Sequence, residues 1–146
     1  MKISVLGCGR WGSFLAWYNC AMLGNDVICY GPDDETYREL KRTGRNEYVV
    51  FDERIRLTCD LGEAINHAEI IIISISSQAL RGFLQKVTAF DLGGKKTVLC
   101  MKGIEESTGK RLTEVALECG VDKNSIAVWV GPGHIQDFTK GIPNCM

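Results

Sequence analysis

The sequence lacks a long apolar run, an excess of charge of either sign and any Cys-x-x-Cys pair, and it holds only three prolines and two histidines. Each shortage removes a class of function. A membrane-spanning helix needs ~20 consecutive apolar residues, and no stretch approaches that. Seventeen basic and 18 acidic residues leave a net charge of −1, which offers no electrostatic footprint for a nucleic acid or an anionic membrane. The seven cysteines, at 8, 20, 29, 59, 100, 119 and 145, are odd in number and scattered. They predict reduced thiols in a cytoplasmic protein, and neither a disulfide framework nor a zinc site. Cys29 and Cys100 fall in strand-like runs, where cysteine acts as a small hydrophobe. His67 and His134 are far apart and have no ligand-like neighbours, so no metal is expected. With a strand-like run beginning at residue 2, no targeting peptide is expected.

Glycine, by contrast, is plentiful, and three of the 16 stand together in GCGRWG. Lys2 to Leu6 before them alternates polar and apolar and is bounded by glycine, which predicts a strand. After them, Trp11, Phe14, Leu15, Tyr18 and Met22 recur at helical spacing, and Gly24 stands where a C-terminal cap belongs. Glycine weakens both kinds of element, so strand, G-x-G-x-x-G, helix implies a turn that needs bare backbone. Gly7 makes the tight turn, Gly9 lets a pyrophosphate approach, and Gly12 lets the helix pack closely on the strand. The helix N-terminus then faces the diphosphate with free N–H groups and a positive dipole end.

The rest of the chain alternates in the same way. Strands are expected at Asp26 to Tyr30, Ile55 to Thr58, Glu69 to Ser76, Thr97 to Met101 and Ile126 to Val130. Helices are expected at Glu35 to Thr43 (closed by Gly44), from a capping Asp60 through His67, at Ser77 to Phe90, and over 111–119 with Gly120 as cap. The isoleucine run EIIIISIS implies burial on both faces, as in a parallel sheet. With 45% apolar and 24% charged residues, 146 residues make one ordinary globular domain, taken as 1–146. The predicted class is α/β: a Rossmann-type, right-handed, doubly wound parallel sheet in a single domain that binds NAD or NADP.

Ligands bind such sheets at the C-terminal strand ends. That singles out residues 7–12, 30–33, 76–79, 101–104 and 131–135. At the second strand end, Tyr30-Gly31-Pro32-Asp33, neither an acid nor an arginine stands at the tip; Asp33 and Asp34 lie further on and serve equally as helix caps. Arg10 either reaches a phosphate or ribose or is simply solvated. Ser76 and Ser77 either cap the next helix or line the cofactor edge. Lys102, just past a buried strand with Gly103 behind it, points into the crevice or snorkels at the surface. Gly131-Pro132-Gly133 is a tight turn or a place of close ligand approach.

Taken together, GCGRWG, DLGEAI, IISISSQALR, KGIEESTGKRLTEVALE and GPGHIQDFTKGIPNCM resemble, in order and spacing, the amino-terminal half of the NAD(P)-dependent glycerol-3-phosphate dehydrogenases. The resemblance covers essentially the whole chain. It implies hydride transfer between a nicotinamide and dihydroxyacetone phosphate or sn-glycerol 3-phosphate, a small phosphate substrate. It also implies cofactor contacts from Gly7, Gly9, Arg10, Trp11, Gly12, Pro32, Ser76, Ala79, Lys102 and Ile135, and substrate contacts from Lys102, Gly131 and Gly133. Lys102 would hold an anion or polarise a carbonyl as alkoxide charge develops. Three departures stand out. Ser76 replaces the family's usual proline, and Gly133 and Ile135 replace a small residue and alanine of its G-P-[ST]-F-A segment. Bulkier Ile135 predicts weakened cofactor binding. Pro32 stands where an NADP-binding member carries arginine, which favours NAD, with NADP possible. The family's acid/base lysine and its phosphate-gripping asparagine and arginine lie in a helical carboxy-terminal domain, so little or no turnover is expected from this chain alone. The missing half, supplied by another chain, or a homodimer would be the partner. The alternatives are a stand-alone nucleotide-binding module without turnover and another two-domain dehydrogenase family with the same first half.

Overall fold

The computed structural model describes residues 1–142; Pro143, Asn144, Cys145 and Met146, which close the last resembling segment, lie outside the described residues. Six strands form one wholly parallel sheet: β1 (Lys2–Leu6), β2 (Asp26–Tyr30), β3 (Arg56–Thr58), β4 (Ile70–Ile73), β5 (Lys96–Leu99) and β6 (Ile126–Val128). Their spatial order is β3-β2-β1-β4-β5-β6. The order reverses between β1 and β4, so the crossovers leave in opposite directions there and open a crevice at the strand tips.

Alternation along the strands decides which layer each side chain feeds. On one face Ile3, Val5, Val27, Cys29 and Ile72 pack beneath helices α1 (Arg10–Trp17) and α2 (Glu35–Thr43). On the other, Leu6, Ile28, Ile71, Ile73 and Leu99 pack beneath α3 (Leu61–His67), α4 (Leu80–Val87) and α5 (Leu112–Glu118). The isoleucine run is buried on both faces as expected, since Ile71 and Ile73 are fully covered and Ile72 is 3% exposed. Each such side chain contributes ~1.5–3 kcal/mol by leaving water. Ser4 sits in this apolar layer at no net cost, because its hydroxyl donates to the Ala64 carbonyl at 2.6 Å.

Several boundaries differ from the expected ones, each for a local reason. Helix α1 ends at Trp17 and widens into a π-turn over Tyr18–Met22, in which the Leu23 amide donates to the Tyr18 carbonyl. Its buried residues are Gly12, Ser13, Phe14, Leu15 and Ala16, followed by Asn19 and Cys20 in the turn. Of the expected stripe, Phe14 and Leu15 are buried and Trp11 and Tyr18 pack against the same core; the short helix α6 (Ile135–Phe138) adds to it, with the Phe14 and Phe138 rings 5.7 Å apart. Met22, expected on the buried stripe, is 61% exposed, because the wider turn delays the return of that face.

Strand β4 stops at Ile73, and Ser74-Ile75 leaves the sheet to cross the turn after β1. The expected helix 77–90 is a 3-10 turn, Ser77–Ala79, followed by α4, and neither Ser76 nor Ser77 caps it with its side chain. Strand β6 is shorter than expected and lies at the sheet edge, so Val128 is half exposed. The aspartate caps hold. Asp34 accepts from the Tyr37 amide, and Asp60 from the Gly62 and Glu63 amides. Glu63 does not reach back to the Asp60 amide, which donates to the Thr58 hydroxyl, and its carboxylate accepts from that same hydroxyl. Truncating a fully buried side chain should be costly: Ile73→Ala should lower unfolding free energy by ~2–5 kcal/mol, with an earlier midpoint but an unchanged slope in urea denaturation.

Candidate functional site

The strand tips are brought level by a row of main-chain bonds. The Gly7 amide donates to Tyr30 O, Ser74 to Leu6 O, Cys100 to Ile73 O and Trp129 to Leu99 O, at 2.9, 2.9, 3.1 and 2.9 Å. Each donor is the first residue past its strand or close to it. The loops that follow therefore start from one rim.

The glycine turn is the centre of that rim. Gly7 has φ +119°, and a Cβ there would lie 2.1 Å from the Ser74 carbonyl oxygen. A Cβ on Gly12 would lie 1.9 Å from the Gly7 carbonyl oxygen. Both glycines are therefore required by packing: helix, turn and β4 exit touch backbone to backbone. Gly9 differs, because a Cβ there meets nothing within 4 Å. Its outward side is open, as a ligand's approach to main chain demands. Gly9 N-caps α1 without a side chain, no acidic residue sits in the first turn, and the Ser13 amide donates to the Gly9 carbonyl at 2.9 Å. The amides of the first turn and the positive end of the helix dipole thus face outward uncompensated by this chain. This donor set fits the diphosphate of a dinucleotide.

Two clefts flank the turn. One, of about 320 Å³, is lined by Arg10, Trp11, Lys102, Gly131, Gly133 and Ile135 among others. The other, of about 630 Å³, runs from Cys8 along α2 to the 45–47 loop. No acidic side chain lines the first cleft, while Arg10 and Lys102 do, so its field favours an anion. Arg10 is not simply solvated, because its guanidinium lies 4.6 Å from the centre of the Tyr48 ring. Ile135 is 4% exposed and fills the core beside the cleft, so its bulk is absorbed largely by packing. Pro32, Ser76 and Ala79 are exposed and line neither cleft. Asp33 and Asp34 are both engaged elsewhere: Asp33 forks with Arg38 at 2.8 and 3.1 Å, and Asp34 caps α2.

His134, in the marked segment 131–135, also lines the first cleft, as do Ser74, Ile75, Trp129 and Gln136, which carried no signal of their own in the sequence. His134 makes no side-chain hydrogen bond among the described residues. The Arg81–Glu105 cluster was equally hidden, its partners being 24 residues apart. Arg81 bridges Glu105 and Glu118, Thr108 donates to Glu105, and Lys110 pairs with Glu118. The Arg81 guanidinium, helped by the Thr108 hydroxyl, holds the Glu105 carboxyl down to about 2. Burial pushes the thiols up instead: Cys8 to about 11 and Cys100 to about 12, which makes them inert at neutral pH. Among the described residues no three His, Cys, Asp or Glu side chains gather as a metal site, and no helix is long and apolar enough to cross a membrane.

Strand order, glycine turn and a cationic cleft at the switch point define a dinucleotide-binding α/β domain. The chain belongs to a specific family of such domains, described as NAD-dependent glycerol-3-phosphate dehydrogenase N-terminus, whose sequence model matches residues 2–145. An NAD(P)+ glycerol-3-phosphate dehydrogenase of Pelodictyon phaeoclathratiforme is 36% identical over 98% of this chain and 44% of its own length. One from a Thermoanaerobacter species is 35% identical over 98% of this chain and 43% of its own. The chain thus spans less than half the length of these relatives. In fold it is similar to a glycerol-3-phosphate dehydrogenase of Coxiella burnetii, with a TM-score of 0.81 at 23% identity, covering 97% of this chain and 44% of that one.

Two outcomes check the site. Gly9→Ala should leave the melting temperature nearly unchanged yet weaken NADH binding by tenfold or more, on the order of the ~1.4 kcal/mol per decade that a blocked approach readily costs; Gly12→Ala should lose both, by thermal melting and fluorescence titration. The second is a pH effect. Glu105 titrates lower folded than the ~4.3 of an unfolded glutamate, so its contribution is full above that value and lost as pH falls towards about 2. In Arg81→Met the acid limb of stability against pH should flatten across that window, read by urea melts from neutral pH downwards.

Proposed function

We propose that this chain is the cofactor-binding half of a glycerol-3-phosphate dehydrogenase, acting in hydride transfer between NAD(P)H and dihydroxyacetone phosphate or sn-glycerol 3-phosphate. The observation that carries the reading is the bare main chain at Gly9, set between two clefts and beneath an uncapped helix N-terminus. In this reading Gly7, Gly9, Gly12 and the first-turn amides of Arg10 and Trp11 hold the diphosphate. The Cys8 cleft takes the adenosine end, and the Lys102 cleft takes the nicotinamide end and the substrate. The bound nicotinamide supplies the hydride. Lys102 orients the anionic substrate and stabilises negative charge growing on the carbonyl oxygen, and Gly131 and Gly133 let the substrate approach main chain. Trp11 and Trp129 shield the cleft from water.

NAD is the favoured cofactor, since exposed Pro32 offers no cation to a 2′-phosphate at the tip of β2. The proton donor and the grip on the substrate phosphate come from the remainder of the family's length, beyond the part these residues match. The free thiols, with Cys8, Cys20, Cys29 and Cys100 buried and Cys59 exposed, suit a cytoplasmic setting. A stand-alone nucleotide-binding module remains the second reading; it shares the same bare turn and differs in having no catalytic partner.

Titration with NADH should quench tryptophan fluorescence saturably, with Trp11 at the turn carrying most of the signal, and Trp11→Phe should remove that larger share and leave the part due to Trp129. NADPH should bind several-fold more weakly. The same chain mixed with NADH and dihydroxyacetone phosphate should show no loss of nicotinamide absorbance above background. Failure of both nucleotides to saturate would overturn the binding role, and turnover by the isolated chain would overturn the need for a second half.

A further inference from the structure

Lys102 stands on a loop that leaves the sheet at Cys100 and enters α5 at Leu112. Its two flanks are fixed in different ways. Behind it, the Cys100 amide donates to the Ile73 carbonyl. Ahead of it, the exposed carboxamide of Gln78 grips the loop twice: its Nε2 donates to the Ile104 carbonyl at 2.8 Å, and its Oε1 accepts from the Glu106 amide at 3.0 Å. Between lysine and grip lies Gly103, at φ +104°, a conformation only glycine adopts without strain. Beyond the grip, Arg81 forks onto Glu105 with two bonds of 2.8 Å, and Ile104 bridges Arg111.

Gly103 would be a free hinge if its far side were loose. Lysine has a flexible four-carbon stem, so the aim of its ammonium depends on how firmly its own backbone is held. Gln78 supplies that firmness two residues away. It contributes nothing to the core, because it is exposed and its partners are two main-chain groups of the loop and the neighbouring Ser77 hydroxyl at 3.2 Å. The segment 76–79 thus meets the site through Gln78 and the loop, while Ser76 and Ala79 stay outside the clefts.

We propose that Gln78 is a positioning residue for Lys102: by pairing with Ile104 and Glu106 it holds the loop so that the Lys102 ammonium faces the anion-binding cleft. The Arg81–Glu105 fork anchors the remainder of the loop and prevents the grip from moving with it. The proposal rests on the reading of Lys102 as a ligand-facing residue.

The test uses the 146-residue chain as Gln78→Ala, Gln78→Glu, Lys102→Ala and the Gln78→Ala/Lys102→Ala double variant. One readout is the rate at which acetic anhydride acylates Lys102, measured by mass spectrometry against exposed Lys123 in the same molecule. The other is NADH affinity by fluorescence. Gln78→Ala should change the relative acylation rate at least about threefold and weaken NADH by about three- to tenfold, while melting as the wild type does. Gln78→Glu, which keeps the acceptor for Glu106 and loses the donor to Ile104, should fall between. The double variant should bind NADH no more weakly than Lys102→Ala, because both changes act through one ammonium. The proposal is overturned if Gln78→Ala leaves acylation and affinity unaltered, or if the two losses multiply. If Lys102→Ala binds NADH normally while Gln78→Ala still shifts Lys102 acylation, positioning stands and the ligand-facing reading of Lys102 falls.

Discussion

Helix α1 must meet the turn after β1 with no side chain between them, and the ligand end of the molecule is built on that contact. A methyl group on Gly12 would be driven into the Gly7 carbonyl at 1.9 Å, and one on Gly7 into the Ser74 carbonyl at 2.1 Å. Three backbone segments therefore lock: the end of β1, the start of α1 and the exit of β4. Pushing α1 outward would move its first-turn amides off the rim. It would also part Phe14 from Phe138, and so separate α1 from the segment that carries Gly131 and Gly133. One steric requirement thus places both the diphosphate donors and the far wall of the cleft.

Electrostatics follows from where the acids are spent. Asp34 and Asp60 saturate helix N-termini, Asp33 forks with Arg38, and Glu105 is held by Arg81 and Thr108. None reaches the first cleft, where Arg10 and Lys102 meet the positive end of α1. A chain with a net charge of −1 thereby presents a locally cationic cleft. Composition alone is blind to this, because it counts charges without saying which are already paired.

Most of the sheet was legible because its strands are short apolar runs between glycines and caps. β1, β2 and α2 fall where pattern places them, and Asp34, Asp60, Gly24 and Gly44 punctuate as their chemistry predicts. The glycine turn was legible for the same reason, since three glycines between a strand and a helix have few structural uses. Misreadings arose where tertiary contact competed with local pattern. Met22 reads as the end of α1's apolar stripe, yet the π-turn leaves it 61% exposed, while Phe14 and Leu15 are buried as their spacing implies. The serines before α4 look like caps, but the chain there is already turning in a 3-10 conformation.

By itself, the sequence determined the class of fold, the alternation of its elements and the first βα turn, because these depend on propensity, periodicity and steric rules acting within ten or so residues. It also singled out Lys102 and Gly131 as strand-end residues. Only the tertiary structure decided which of the marked positions share a cleft. Arg10, Trp11, Lys102, Gly131, Gly133 and Ile135 converge, while Pro32, Ser76 and Ala79 do not. The same holds for the pairing of Arg81 with Glu105 and of Gln78 with Ile104. Such partners lie 24 to 28 residues apart, and their meeting is set by the order of strands in the sheet, which no local pattern encodes.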